Sequence, residues 1–146
     1  MGRAIGGAVV GYVVDFVVML GLMTVAWFAL GADGAFRPGV WEVTTLWILL
    51  LFVASFASGY VGGTVAVKVA ASARGATFLA VLIVALTIVF EFPVVAGWVP
   101  MPPLPRPDDL PMFEAMGNGR QPLWSLVLHP LLGAAGALLA GRRRAA

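Results

Sequence analysis

Residues 43–67 carry no charged side chain, and this single run limits the architecture more than any other feature of the chain. Roughly 20 apolar residues in a helix cross the hydrocarbon of a bilayer. A small water-soluble domain, which keeps much of its surface wet, has no room to wrap such a segment. Three further runs share its character. Residues 4–30 are interrupted only by Asp15, residues 76–99 carry Glu91 and Pro93, and residues 123–140 carry His129 and Pro130. Across the 146 residues, 61% are hydrophobic and 11% charged, where an ordinary soluble domain has about 25% charged residues. The expectation is an all-α integral membrane protein. Residues 1–146 form a single domain, an antiparallel bundle of four transmembrane helices.

The connections have turn composition. Gly31-Ala32-Asp33-Gly34 and Arg37-Pro38-Gly39 separate the first two spans, and Ser72-Ala73-Arg74-Gly75 makes a tight second connection. The outer loop, residues 100–122, holds seven of the ten prolines. Its first part should be extended polyproline II. Asp108 or Asp109 should then cap a short interfacial helix that Gly117 ends, with Met112, Phe113 and Met116 on one face. That face is a candidate docking site for a partner. The first span is too long for a secretory signal, whose apolar stretch runs to about 15 residues.

Lys and Arg set the orientation. Arg3, Lys68, Arg74, Arg142, Arg143 and Arg144 fall at one side with no acid among them. Arg37, Arg106 and Arg120 fall at the other beside Asp33, Glu42, Asp108, Asp109 and Glu114. The basic side should be cytoplasmic, with both termini there, in a plasma (inner) membrane. The triple arginine reads as a stop signal at an anionic lipid surface. Trp27, Trp41, Trp47, Trp98 and Trp124 all fall towards the opposite side, at the level where tryptophan favours the headgroups. The abundance of Gly, Ala, Val and Arg suggests a GC-rich bacterial source.

Helices in lipid associate where small residues let backbones approach. Ser55, Ser58, Gly59, Gly62, Gly63, Ala66 and Ala70 recur at helical spacing on one face of the second span. Gly7 and Gly11 do so on the first span, and Gly133 and Gly136 on the fourth. This stripe should accept Ala but not Leu at Gly59 and Gly62. The lone ionisable residue of three spans continues the small-residue face: Asp15, Glu91 and His129. An ionisable group facing lipid costs several kcal/mol, so each should point inward. At about 1.5 Å per residue, Asp15 lies about 16 Å into its helix, opposite Ser55 and Ser58, which with Tyr60 are its expected hydrogen-bond partners. The same rise puts Glu91 and His129 at similar depth, where they can pair. These three residues are the candidate proton or cation site.

Several chemistries are excluded or unsupported. With no cysteine, the chain has no disulfide, thiolate nucleophile or Cys-ligated metal. A single histidine excludes bis-histidine haem within one chain. No nucleotide fingerprint, metal-ligand cluster or nucleophile–base spacing is present, so the expectation is a non-enzymatic protein without cofactor or metal. The net charge of +2 is explained by orientation rather than by nucleic acid. The expected function is the first of two, and the second is its alternative. The first is an accessory or structural subunit packed against a larger membrane complex or against copies of itself. The second is a small oligomeric proton-coupled transporter or channel that uses Asp15.

Overall fold

The computed structural model describes residues 1–143. It contains five helices: α1 (Gly2–Ala35), α2 (Thr45–Ala70), α3 (Arg74–Val95), α4 (Met112–Asn118) and α5 (Leu123–Arg142). Among the described residues there are no strands, only two isolated bridges, Phe36 with Val43 and Glu42 with Arg120. All but α4 are long and apolar enough to cross a membrane. The Arg144 part of the basic cluster lies outside the described residues.

The helix limits have local causes. Gly31, at φ 65°, interrupts α1 with a non-helical step, so its last turn departs from the axis of the preceding residues. Thr44 caps α2: its hydroxyl accepts from Trp47 N–H at 3.2 Å and donates to the Gly34 carbonyl at 2.6 Å. One side chain thus closes an orphan helix donor and ties α2 to the end of α1. Pro93 sits in the last turn of α3, and Gly97 at φ 73° ends the segment. The short helix starts after Pro111, without a side-chain cap, and Gly119 follows its last residue. Asp108 and Asp109 therefore do not cap it, and Gly117 lies inside it.

The pairing follows from residue contacts. Gly7 meets Ala66 and Ala70, and Gly11 meets Gly62 and Ala66, so the start of α1 lies against the end of α2. Gly59 meets Gly133 and Gly63 meets Ala137, so α2 and α5 advance together. Gly75 rests on Ala66 and Ala70, and Gly141 lies near Ala76. One end of the molecule therefore gathers the start of α1, the end of α2, the start of α3 and the end of α5. This is the basic end, bearing Arg3, Lys68, Arg74, Arg142 and Arg143.

The opposite end is capped. Trp27, Phe36, Trp41, Val43, Ile48, Leu110 and Ala115 form a cluster there, with Met112 packed on it. The proline-rich loop is strapped across: Trp41 Nε1 donates to the Pro103 carbonyl at 3.0 Å, and Arg106 N–H to the Gly39 carbonyl at 3.0 Å. The Arg106 guanidinium is buried over the Phe36 ring, 5.3 Å from its centroid, and 3.6 Å from the Asp33 carboxylate.

The basic half is the tightly packed one. Ala8, Ala66, Leu79, Ala80, Ile83, Ala134 and Ala137 form its core. The buried residues of α3 are Gly75, Ala76, Leu79, Ala80 and Ile83, all in its first half, while Ile88, Val89 and Phe90 are exposed. Helix α1 packs on α2 and α3 but not on α5. Towards the capped end, therefore, α3 leaves the bundle and spaces open between the helices.

Candidate functional site

A polar space lies between the helices halfway along α1. It is a cavity of about 130 Å³ whose lining includes Tyr12, Asp15, Ser55, Ser58, Thr87 and His129. All four long helices contribute. Tyr12 and Asp15 are one turn apart on α1, Ser55 and Ser58 one turn apart on α2, Thr87 comes from α3 and His129 from α5. Phe16, Met19, Ile83, Pro130 and Gly133 complete the walls.

Small residues create this space. A Cβ on Gly62 would come within 2.9 Å of the Asp15 Cβ, so Gly62 lets the start of the acid's side chain lie flat on α2. Gly133 leaves room beside Ile83 and the Ser55 carbonyl. The Ser58 hydroxyl lies beside the Asp15 carboxyl and donates to the Ser55 carbonyl at 3.2 Å. Ser55 is 5% exposed, and its hydroxyl has no hydrogen-bond partner. A buried hydroxyl without a partner costs about 1–3 kcal/mol.

His129 is oriented by its own helix. Its Nδ1 lies 3.1 Å from the Ser125 carbonyl oxygen. A carbonyl only accepts, so Nδ1 carries a proton, and in the neutral ring Nε2 is the basic nitrogen. Thr87 donates to the Ile83 carbonyl at 2.9 Å, leaving its oxygen able to accept.

The sequence-derived candidates fall into three places. Asp15 and His129 line this cavity together, with Ser55 and Ser58. Glu91 does not pair with His129. It lines a separate apolar cleft of about 250 Å³ between α3 and α5, where Arg120 is near enough to attract it. Ile83 lies beside Gly133 and Ala76 beside Gly141, a register that sets His129 level with Thr87 and leaves Glu91 one helical turn nearer the capped end. The Tyr60 hydroxyl is also not a partner of Asp15, since it accepts from Arg143 Nη1 at 3.3 Å at the basic end.

Gly7, Gly11, Gly59, Gly62, Gly63 and Gly136 each face another helix so closely that a Cβ would meet backbone atoms, and Ala66 is fully buried among them. Gly59 and Gly62 therefore lack room even for Ala, a narrower tolerance than residue size alone suggests. On α4, Phe113 and Met116 are exposed, whereas Met112 packs into the cap cluster, so the three do not share one outward face.

Tyr12 is a member of this site that the sequence does not single out, and Thr87 is legible only as part of the α3 face that Glu91 continues. A positional signal exists for both: Tyr12 stands three residues before Asp15, and Thr87 four before Glu91. Among the described residues no group of His, Asp and Glu has the arrangement of a metal centre. Comparison with protein families, with curated proteins and with solved structures finds no match.

Proposed function

We propose that this chain is a small, non-enzymatic, four-span protein of the plasma (inner) membrane, an antiparallel bundle with both ends in the cytoplasm. Its working part is a proton or small-cation site built on Asp15. The apolar outer faces of the long helices, with Val13, Val17, Val53, Val81 and Val89 exposed, support insertion in lipid. The basic end then lies on the cytoplasmic side and the cap on the outer side.

The observation that carries the reading is the cavity itself. A carboxyl, an imidazole, a phenol and three hydroxyls converge from all four helices in an otherwise apolar bundle. Ionisable groups at that depth are costly and mark ion or proton pathways. Asp15 is the exchanging acid. His129 Nε2 can take up or return a proton, and the Ser55 hydroxyl can order a water or ligate a cation. A single bundle has a narrow interior, so transport is assigned to an oligomer.

The test is Asp15→Asn in sealed vesicles containing a pH-sensitive dye, challenged with a pH step or a sodium gradient. Loss of flux with an unchanged yield of folded protein supports the reading. Loss of flux and fold together assigns Asp15 a structural role.

A second reading, an accessory subunit of a larger membrane complex, is favoured by one feature. Phe113, 74% exposed, and Met116, 52% exposed, present an apolar surface on the cap. Stoichiometric companions on purification from native membranes in mild detergent would make that reading primary.

A further inference from the structure

We propose that the Asp15 cavity is loaded laterally from the outer side, through the cleft between α3 and α5, with Glu91 as the carboxyl at its mouth. This inference rests on the proton or cation reading of the cavity and adds the side and the route.

Two features of the packing support the route. The first is closure on the basic side. Below Asp15, Gly11 meets Gly62 and Ala66, the Leu79 side chain is fully buried beside Gly11, and Gly63 meets Ala137. Backbone-to-backbone contact of this kind leaves no passage for water. The second is the opening towards the cap. No residue of helix α3 beyond Ile83 is fully buried, and the cleft it leaves against α5 is lined by Val84, Ile88, Glu91, Val127 and Leu131. Thr87 and Pro130 line both this cleft and the Asp15 cavity, so the two spaces adjoin at these residues.

The chemistry of this junction suits a proton or a small cation. Thr87 presents an oxygen that can accept, and Pro130 has no N–H to offer. Glu91 is the ionisable group in the cleft, and it collects a cation from the outer interface and passes it inward past Thr87. The facing groups on the cavity side are Asp15, Tyr12 and His129. A second apolar space beneath α4 also borders the cavity, through Phe16 and Met19, but it carries no ionisable residue.

The experiment uses the full chain in lipid vesicles and N,N′-diisopropylcarbodiimide, a small lipid-soluble reagent that adds to protonated carboxyls. Modification of Asp15 and of Glu91 is read separately by peptide mass. Val127→Trp, or Leu131→Trp if the first variant does not fold, fills the cleft. Leu138→Trp fills a pocket between α3 and α5 at the basic end and serves as the control. The expected result is modification of Asp15 in the unaltered protein and in Leu138→Trp, and its loss in the cleft-filled variant. Unchanged modification of Asp15 in the cleft-filled variant overturns the route, as does loss in Leu20→Trp, which fills the space beneath α4.

Glu91→Gln separates space from charge. Asp15 modification should persist while proton or sodium flux falls, and unimpaired flux removes Glu91 from the route. If Asp15→Asn leaves flux intact, the underlying cation reading fails, whatever the labelling shows.

Discussion

Gly59 of α2 and Gly133 of α5 meet backbone to backbone: a Cβ built on Gly59 would overlap the Gly133 carbonyl and lie 2.7 Å from its carbonyl carbon. Carbonyl atoms belong to a helix and cannot rotate away as a flexible side chain can. Gly59→Ala should therefore destabilise the bundle by about 1–3 kcal/mol, the usual cost of forcing a methyl into packed space. Gly6, on α1, is the contrast, since a methyl group there would have no neighbour within 4 Å. Gly6→Ala should leave stability unchanged or raise it by about 0.5–1 kcal/mol, through helix propensity alone. Thermal unfolding of both variants in the same detergent checks the difference. Equal effects would mean that α2 and α5 do not touch at Gly59.

Ser55 offers a test in which stability and function move in opposite directions. Its hydroxyl is buried without a partner, and such a group costs about 1–3 kcal/mol. Ser55→Ala should thus be at least as stable as the parent, measured without added salt. The same change removes a cavity oxygen, so proton or sodium flux in vesicles should fall. A less stable Ser55→Ala with unaltered flux would show that the hydroxyl serves packing.

Orientation can be read directly, because the chain has no cysteine to interfere. Met101, on the cap side, and Ala73, between α2 and α3, are both exposed. In intact cells, Met101→Cys should react with a membrane-impermeant maleimide, and Ala73→Cys should react only after the membrane is opened. The reverse pattern would place the basic end outside, against the attraction of Lys and Arg for the cytoplasmic face.

The four long helices are legible in the sequence because the requirement that sets them, enough consecutive apolar residues, is local. Their limits shift where a local device intervenes, as at Gly31, where the glycine conformation bends the end of α1, and at Pro111, which starts α4 without an aspartate cap. Partner choice is harder to read. A periodic run such as Gly59, Gly62 and Gly63 says that a neighbour can come close on that face, but not that Gly59 meets α5 while Gly62 meets α1. The pairing of Glu91 with His129 fails because packing sets the register of α3 on α5: Ile83 falls beside Gly133, which puts Glu91 one turn further out than His129. Counting residues at a fixed rise gives depth only from an assumed helix end, and both register and azimuth depend on neighbours that the sequence does not name. Asp15 and His129, far apart in the chain, share a cavity only because α2 brings α1 and α5 to either side of itself.

The cap divides the docking idea into two unequal parts. Met112 packs on the cluster of Trp27, Phe36 and Trp41, and Ala115 is buried within it, so this side of α4 holds the cap to the bundle. Phe113 points away, and Met116 is half-exposed at the edge of the space beneath α4. If the outward face binds a partner, Phe113→Ser with Met116→Ser should release it while the helices keep their content by circular dichroism. Met112→Ser should act differently. It removes part of an apolar contact at a typical cost of about 2–5 kcal/mol for a fully buried side chain, and less here because Met112 is only partly buried. That change should loosen residues 100–122 to protease without selectively weakening a partner's grip. If the double variant retains every companion of the parent protein, the exposed face of α4 is not where they bind, and the exposure of Phe113 then reflects contact with the lipid surface, where an aromatic ring is stable at the headgroup level.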